Sequence, residues 1–309
     1  MPELPEVHTT SRILNELLLG LKITDVWTSY GGVIHEGKSH IKNKKYFSEF
    51  TRKVVGEKVI SVGRRGKNVL INLTHDKTIL VHMKMTGHLL FGEYQKAGAK
   101  VQAPLGWEKE NWIPKKGGAL QDPYNRFIRL VFSFSNGKHL VLSDMRKFAK
   151  VHLIEKGEKA DIDNLGPEPL EKSFKFENFK SRIFKRPKGP IKTVLMDQEL
   201  IAGIGNIYSD EILWLSGIHP ESIVSKIPEE KLKEAFKEMK KVLEQGIKFK
   251  GDSMSDYRKP DGEKGEFQYH HKAYRKTGEK CLKKDGGEMK RVKVKGRSAH
   301  FCNTHQEKY

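Results

Sequence analysis

The stretch Ile201-Ala202-Gly203-Ile204-Gly205-Asn206-Ile207-Tyr208 decides how the second half of the chain folds. Two glycines one residue apart stand directly before a helical pattern, so backbone N–H groups are offered at the positive end of a helix. Such a turn can hold a phosphate, and it also serves as an ordinary connection between helices. No strand precedes it in a βαβ unit, which argues against a dinucleotide-binding fold. The flanks are helical: apolar spacing predicts helices over 174–184, 191–196, 206–215 and 229–249, entered from the linker Gly166-Pro167-Glu168-Pro169-Leu170. This assigns a helical domain to residues 156–264.

Upstream the texture changes. Val7, Ile13, Leu14, Leu17, Leu18 and Leu21 share one face of a helix over 6–21. After it, β-branched or alternating runs predict strands at 23–26, 54–62, 69–73, 79–83, 128–134 and 139–142. Turns at Gly63-Arg64-Arg65-Gly66, His75-Asp76 and Asn136-Gly137 separate several of them. Short strands at this spacing indicate a β-sandwich or barrel over residues 1–155, with the first helix packed on it. Residues 92–126, rich in Gly, Pro, Lys and Trp, read as a long surface loop.

Downstream, residues 265–309 are basic and poor in core residues, with strands at 289–294 and 298–302 flanking Lys295-Gly296-Arg297 as in a hairpin. The whole is an α+β, multidomain chain. So small a terminal module requires a staple. Cys281, Cys302 and His305 supply three ligands for a structural zinc, and Cys302-Asn303-Thr304-His305 has a suitable ligand gap. Lys284 stands at the C-x-x-C position after Cys281 and does not ligate zinc, so the fourth place is open to Asp285, His270 or His271. A metal-free hairpin of the same shape is the alternative.

Charge narrows the partners. The 309 residues hold 58 Lys and Arg against 39 Asp and Glu, a formal net charge of +19. A surplus of that size suits a polyanion, because each neutralised phosphate releases counterions from a duplex. Two cysteines are too few for a secreted disulfide framework. No long apolar run or signal peptide is seen, and the expectation is a soluble, cytoplasmic protein without a membrane partner.

The first residues, Met1-Pro2-Glu3-Leu4-Pro5-Glu6-Val7, carry a second message. Removal of Met1, which the small Pro2 permits, leaves a secondary amine beside a carboxylate, and such an amine forms an iminium ion with a sugar aldehyde. Alternatively, Pro2 and Pro5 simply start a helix.

Six ordered motifs resemble the formamidopyrimidine-DNA glycosylase / endonuclease VIII family over essentially the whole length. Pro2-Glu3-Leu4-Pro5-Glu6-Val7 matches its N-terminal motif, and Gly63-Arg64-Arg65-Gly66-Lys67 looks like the hairpin carrying its essential lysine. His82-Met83-Lys84-Met85-Thr86-Gly87 looks like its intercalation loop, and Ser143-Asp144-Met145-Arg146-Lys147-Phe148 its Arg-x-Phe wedge. Asp197-Gln198 through Tyr208 is similar to its helix-two-turn-helix element, and Gly296-Arg297-Ser298 through Cys302 to its zinc-finger hairpin.

The resemblance implies a two-domain enzyme that binds damaged double-stranded DNA in the cleft between domains, as a monomer and without a catalytic metal. It implies that Pro2 attacks C1′ as the nucleophile, that Glu3 moves protons at the deoxyribose, and that Glu6 orients the N-terminus. Lys67 and Arg297 complete the implied catalytic set by gripping phosphates around the lesion. Met85, Arg146 and Phe148 fill the hole left by the extruded nucleotide, while Asn125, Lys188, Lys192 and Asn206 contact DNA. Strand scission by β,δ-elimination follows base excision. Residues 251–257 resemble the segment that closes over the extruded base in the formamidopyrimidine-glycosylase form, which favours 8-oxoguanine and ring-opened purines. Two other readings stand beside this one: an endonuclease VIII-like activity on oxidised pyrimidines, and a non-catalytic lesion-binding protein.

Overall fold

Strand alternation builds the first unit of the computed structural model, which describes residues 1–30, 40–98, 111–160 and 162–309. This unit comprises Met1–Pro2, Glu6–Ala160 and Lys250–Glu266. Its strands are β1 (Ile23–Thr28), β2 (Val59–Arg65), β3 (Asn68–Leu73), β4 (Lys77–His82), β5 (His88–Gly92), β6 (Tyr94–Lys96), β7 (Trp112–Pro114), β8 (Ile128–Phe134), β9 (His139–Ser143) and β10 (Lys150–Ile154). Eight of them form two four-stranded sheets, ordered β1-β8-β9-β5 and β10-β4-β3-β2. The pairings are antiparallel throughout. Inward residues of both sheets, such as Val69, Val81, Phe132 and Leu142, share one core with Val7, Leu14 and Leu18 of helix α1 (Leu4–Leu18). The expected sandwich and its packed helix are therefore present.

Three expectations are corrected. Val54 does not begin a strand; it ends helix α2 (Lys44–Val54), whose Phe50 and Val54 are buried. Asn43 caps that helix by accepting the Tyr46 N–H at 2.9 Å, a sequence signal ahead of the helically spaced Phe47, Phe50 and Val54. The turn between β2 and β3 is tighter than Gly63–Gly66: Arg65 pairs with Asn68, leaving Gly66-Lys67 as a two-residue loop. Gly66 takes a φ of +55°, which glycine adopts at little cost. Residues 92–126 are also more than a loop, because β6 and β7 pair and bury Tyr94, Trp112 and Ile113 against Leu90, Val131 and Val141. Residues 99–110 of that stretch lie outside the described residues.

The second unit comprises Glu3–Pro5, Asp161–Phe249 and Phe267–Tyr309. It contains α3 (Phe176–Ile183), α4 (Ile191–Leu195), α5 (Asn206–Ser216) and α6 (Glu229–Lys248), then the hairpin β11 (Met289–Val294) and β12 (Arg297–Cys302). Between α4 and α5 run two turns laced by Gln198, which donates to the Met196 and Ile204 carbonyls at 2.8 Å each and accepts the Gly203 N–H at 2.9 Å. α5 is buried on almost every side, so its acids must be paired. Asp210 accepts Lys192 at 2.7 Å and lies 2.8 Å from His300 Nδ1 of β12. Glu211 accepts the N–H groups of Lys272, Ala273 and Tyr274 at 2.8 to 3.0 Å. Two consecutive acids thus attach the hairpin and the segment before it to the helices.

Acid sensitivity is built into the sandwich at Glu57. Burial pushes its carboxyl up, but Lys77, Thr74 and His75 all hydrogen-bond to it and together bring it down to about 2 from its ordinary 4.5. A depressed carboxyl stabilises the fold fully above its unfolded value and loses that contribution as pH falls through its folded value. Unfolding midpoints in urea are therefore expected to drop less steeply for Glu57→Gln than for the parent between about pH 4.5 and about pH 2.

Candidate active site and nucleic-acid interface

The glycines of the Ile201–Tyr208 stretch make room for the N-terminal residues. A Cβ on Gly205 would overlap the Glu3 carboxyl, and one on Gly203, at φ +94°, would overlap Leu4. Leu4 N–H donates to the Gly203 carbonyl at 3.0 Å. The Glu3 carboxylate then accepts the N–H of Ile207 at 2.9 Å and of Tyr208 at 3.4 Å, at the start of α5. A carboxylate of the chain itself occupies amides that the turn's composition offered to a phosphate. Glu3 is 2% exposed, and Pro2 beside it is buried.

In the sandwich unit, Glu6 is buried and engages the segment that follows α6. Its Oε1 accepts the Asp252 N–H at 2.8 Å, and its carbonyl accepts the Tyr257 hydroxyl at 3.1 Å. Lys67 is 6% exposed in the β2–β3 turn. Burial, with Lys84, Lys67 and Lys150 nearby, pushes the His82 imidazole down to about 3. That histidine is neutral at neutral pH, and its Nδ1 accepts the Lys84 N–H at 3.0 Å. The ammonium groups of Lys84 and Lys150 thus join Lys67 around a neutral ring and concentrate positive charge there.

Met85, Arg146 and Phe148 are exposed, Met85 at 41% and Phe148 at 48%. The Arg146 guanidinium lies 4.5 Å from the Phe148 ring centroid. A residue not singled out in the sequence holds the two loops. Buried Asp144 accepts Thr86 Oγ1 at 2.6 Å, and that hydroxyl accepts the Arg146 N–H at 3.0 Å. The other Asp144 oxygen accepts the Ala149 N–H at 2.8 Å and the Tyr30 hydroxyl at 3.2 Å. Its position inside the Ser143–Phe148 motif was the available signal.

Two residues expected to contact DNA are engaged inside the protein. Lys192 is fully buried, and its ammonium donates to Asn206 O at 2.9 Å, Ser209 Oγ at 2.8 Å and Asp210 Oδ1 at 2.7 Å. All three protons are used inside the protein. Asn125 is likewise fully buried, with Oδ1 on His88 Nε2 and Nδ2 on the Ala119 carbonyl, both at 2.9 Å. Both side chains build structure. Lys188 and Arg297 are exposed, Arg297 directly after the left-handed pair Lys295 and Gly296 at the hairpin tip.

Cys281, Asp285, Cys302 and His305 bring one ligand atom each to within 4.8 Å of one another. Asp285 is the fourth member that the sequence left open. His270 stacks on Phe249 and His271 packs against Phe267 and Tyr274, so neither joins the cluster. Burial lifts the Cys281 thiol to about 11. Burial also works against the Asp285 carboxylate, but the Gly287 N–H, His305 and the two thiols hold it at about 2. His305 Nε2 lies 2.9 Å from the Trp214 carbonyl, which leaves Nδ1 facing the sulfurs. Two thiols, an imidazole oriented from behind and a carboxylate fit a divalent transition metal.

A buried acid fixed on a helix-two-turn-helix element, in a chain that also carries a β-sandwich, is the arrangement of a DNA glycosylase. Residues 1–151 match the N-terminal domain of formamidopyrimidine-DNA glycosylase, and residues 165–258 match its helix-two-turn-helix domain. Formamidopyrimidine-DNA glycosylase of Pelotomaculum thermopropionicum is 34% identical, over 99% of both chains. That of Bacillus subtilis is 33% identical over the full length of both. Among solved structures, MutM in complex with DNA containing carbocyclic 8-oxo-G superposes with a TM-score of 0.79 at 29% identity, over 99% of this chain and 100% of that one. The Lactococcus lactis enzyme in complex with DNA containing an abasic site gives 0.78 at 28%, with the same coverage. The chain belongs to the formamidopyrimidine-DNA glycosylase family, DNA-repair enzymes that act on damaged DNA. Among the described residues no helix is long and apolar enough to cross a membrane.

Gly205→Ala tests the seating of Glu3. Displacing a reacting group by about 1 Å costs on the order of a hundredfold in rate. Cleavage of lesion-containing duplex is expected to fall by about that factor, with circular dichroism and the melting temperature showing a folded protein.

Proposed function

We propose that this chain is a bifunctional DNA glycosylase and abasic-site lyase that removes oxidised purines, 8-oxoguanine and formamidopyrimidines, through a Schiff base on Pro2. The seating of Glu3 carries the reading, because that carboxylate is buried beside Pro2 and fixed by two amides of α5. With Met1 removed, the Pro2 nitrogen attacks C1′, and the C1′–N bond breaks with its electron pair leaving on the base. The Glu3 carboxylate takes the proton that the attacking nitrogen sheds and passes it to O4′ as the sugar ring opens, giving the iminium, while the departing base is protonated from water. The iminium acidifies C2′–H; loss of that proton expels the 3′ phosphate, and a second proton loss at C4′ expels the 5′ phosphate. Water then hydrolyses the iminium and restores the amine.

The DNA contacts follow from exposure and charge. Met85, Arg146 and Phe148 enter the space of the extruded nucleotide, whose unstacking costs a few kcal/mol. Lys67, Lys188 and Arg297 meet phosphates. Asn206, at the first position of α5, joins them by donating its side-chain amide N–H to a phosphate oxygen. Residues 251–257, held by Glu6, close over the base. The enzyme acts in the cytoplasm, as a monomer on duplex DNA.

Zinc is the metal we propose for Cys281, Asp285, Cys302 and His305, as a structural staple of the hairpin. When bound, it cross-links Cys281 and Asp285 to the end of β12 and to the turn after it.

Borohydride trapping on abasic-site duplex tests the chemistry. The Met1-processed enzyme is expected to give a covalent adduct and Pro2→Gly is expected to give none. Equal trapping by Pro2→Gly would remove the proline from its role. Stronger cutting of thymine glycol than of 8-oxoguanine duplex would move the activity to oxidised pyrimidines. For the metal, protein purified without added zinc is expected to hold one equivalent by elemental analysis. Asp285→Ala is expected to hold less and to melt at a lower temperature.

A further inference from the structure

Lys250–Glu266 is part of the sandwich unit, although the chain before and after it belongs to the helical unit. Its attachments are specific. Asp252 N–H near its start and the Tyr257 hydroxyl near its middle both donate to Glu6. At its middle stands Arg258, a guanidinium only 1% exposed. Its Nε and Nη2 donate to the two carboxylate oxygens of Asp122 at 3.1 and 3.2 Å. Its Nη1 donates to the Ser255 and Tyr257 carbonyls, both at 2.8 Å. The Tyr124 ring covers the same guanidinium, 4.7 Å from its carbon. Just beyond, the Pro260 carbonyl accepts the Phe91 N–H at 2.7 Å.

Asp122 belongs to a platform. It caps a short 3-10 turn by accepting the Tyr124 N–H at 2.9 Å, and Asn125, fixed by His88 and Ala119, closes that turn from inside. Gly262 approaches the Ala119 backbone so closely that a Cβ would not fit. A buried guanidinium without its carboxylate is strongly unfavourable, so Arg258 and Asp122 act as one device.

We infer that the pair of buried Arg258 and half-buried Asp122 positions residues 251–257 for the choice of lesion, with residues 118–126 as their platform. The inference rests on the reading above, in which this segment closes over the extruded base. Glu6 holds the segment at Asp252 and at Tyr257, and Arg258 ties its far end to the platform, leaving Met254, 41% exposed, between the anchors. A loop fixed at both ends discriminates by shape, because it cannot yield to a base that fits poorly. Arg258 and Asp122 are positioning residues, and a site that lacks a base does not call on them.

The test uses full-length enzyme with Asp122→Asn, Arg258→Lys and the double variant Asp122→Asn/Arg258→Leu. Hydrogen exchange on the free protein reads the anchoring directly. Amides in 250–266 are expected to exchange at least about tenfold faster, with those of β3 and β4 unchanged. Excision of 8-oxoguanine is then expected to fall about tenfold relative to cleavage of abasic-site DNA by the same variant, which stays within about twofold of the parent. Unchanged exchange in both single variants, or faster exchange with an unaltered ratio of the two activities, overturns the inference. A parent enzyme that fails to trap on abasic-site DNA overturns the enzyme reading and the role in lesion choice together. The exchange measurement then still shows whether the pair holds the segment.

Discussion

Everything in the site depends on a carboxylate set on the N-terminal amides of a helix. Glu3 caps α5 through Ile207 and Tyr208. This is possible because Gly203 and Gly205 withdraw every side-chain atom from the approach. A helix start that lacks partners for its first N–H groups is an anion site, and here the anion is covalently part of the chain. The satisfied cap and the fixed acid are the same contact, so any change that loosens the turn also moves the carboxylate.

The same economy recurs where charge is buried. Lys192, Asp210 and His300 form one chain of contacts that ties α4, α5 and β12 together. Glu211 gathers three successive amides of the segment leading to the hairpin. Breaking such buried pairs by removing one partner costs about 3–5 kcal/mol, which makes them fixed joints. Arg297 at the hairpin tip is therefore carried by a strand with two independent attachments to α5, one through His300 and one through the Cys281–Cys302 core on Trp214. The cluster of Cys281, Asp285, Cys302 and His305 adds a third at the base of the hairpin, through His305 on the Trp214 carbonyl.

On the sandwich side, a set of exposed side chains is supported by an interior acid. Met85, Arg146 and Phe148 are exposed apolar or cationic groups that water alone would not hold in place. Asp144, with no exposed surface, holds both of their loops through Thr86 and Ala149. An exposed tip on a buried, fully hydrogen-bonded base is rigid without needing side-chain contacts of its own.

How much of this was legible in the sequence follows from the range of the interactions. Local rules gave the sandwich, the helices around the Gly-x-Gly turn, the hairpin and three of the four metal-site residues, since those depend on periodicity and short spacing. They misread residues 54–58, because the apolar face of α2 and the strand after it abut without a breaker other than Gly56. They also left 92–126 as a loop, although Tyr94 and Trp112 find a satellite core there. Lys192 and Asn125 read as surface contacts, because a lysine or an asparagine alone gives no sign that distant residues will enclose and bond it. By itself the sequence determined which residue types are present and in what order, and hence the family and the candidate chemistry. Only the tertiary structure decided which polar groups face inward. Burial and hydrogen-bond saturation are properties of residues far apart in the chain, such as Glu3 with Ile207, Arg258 with Asp122 and Asp285 with Cys302.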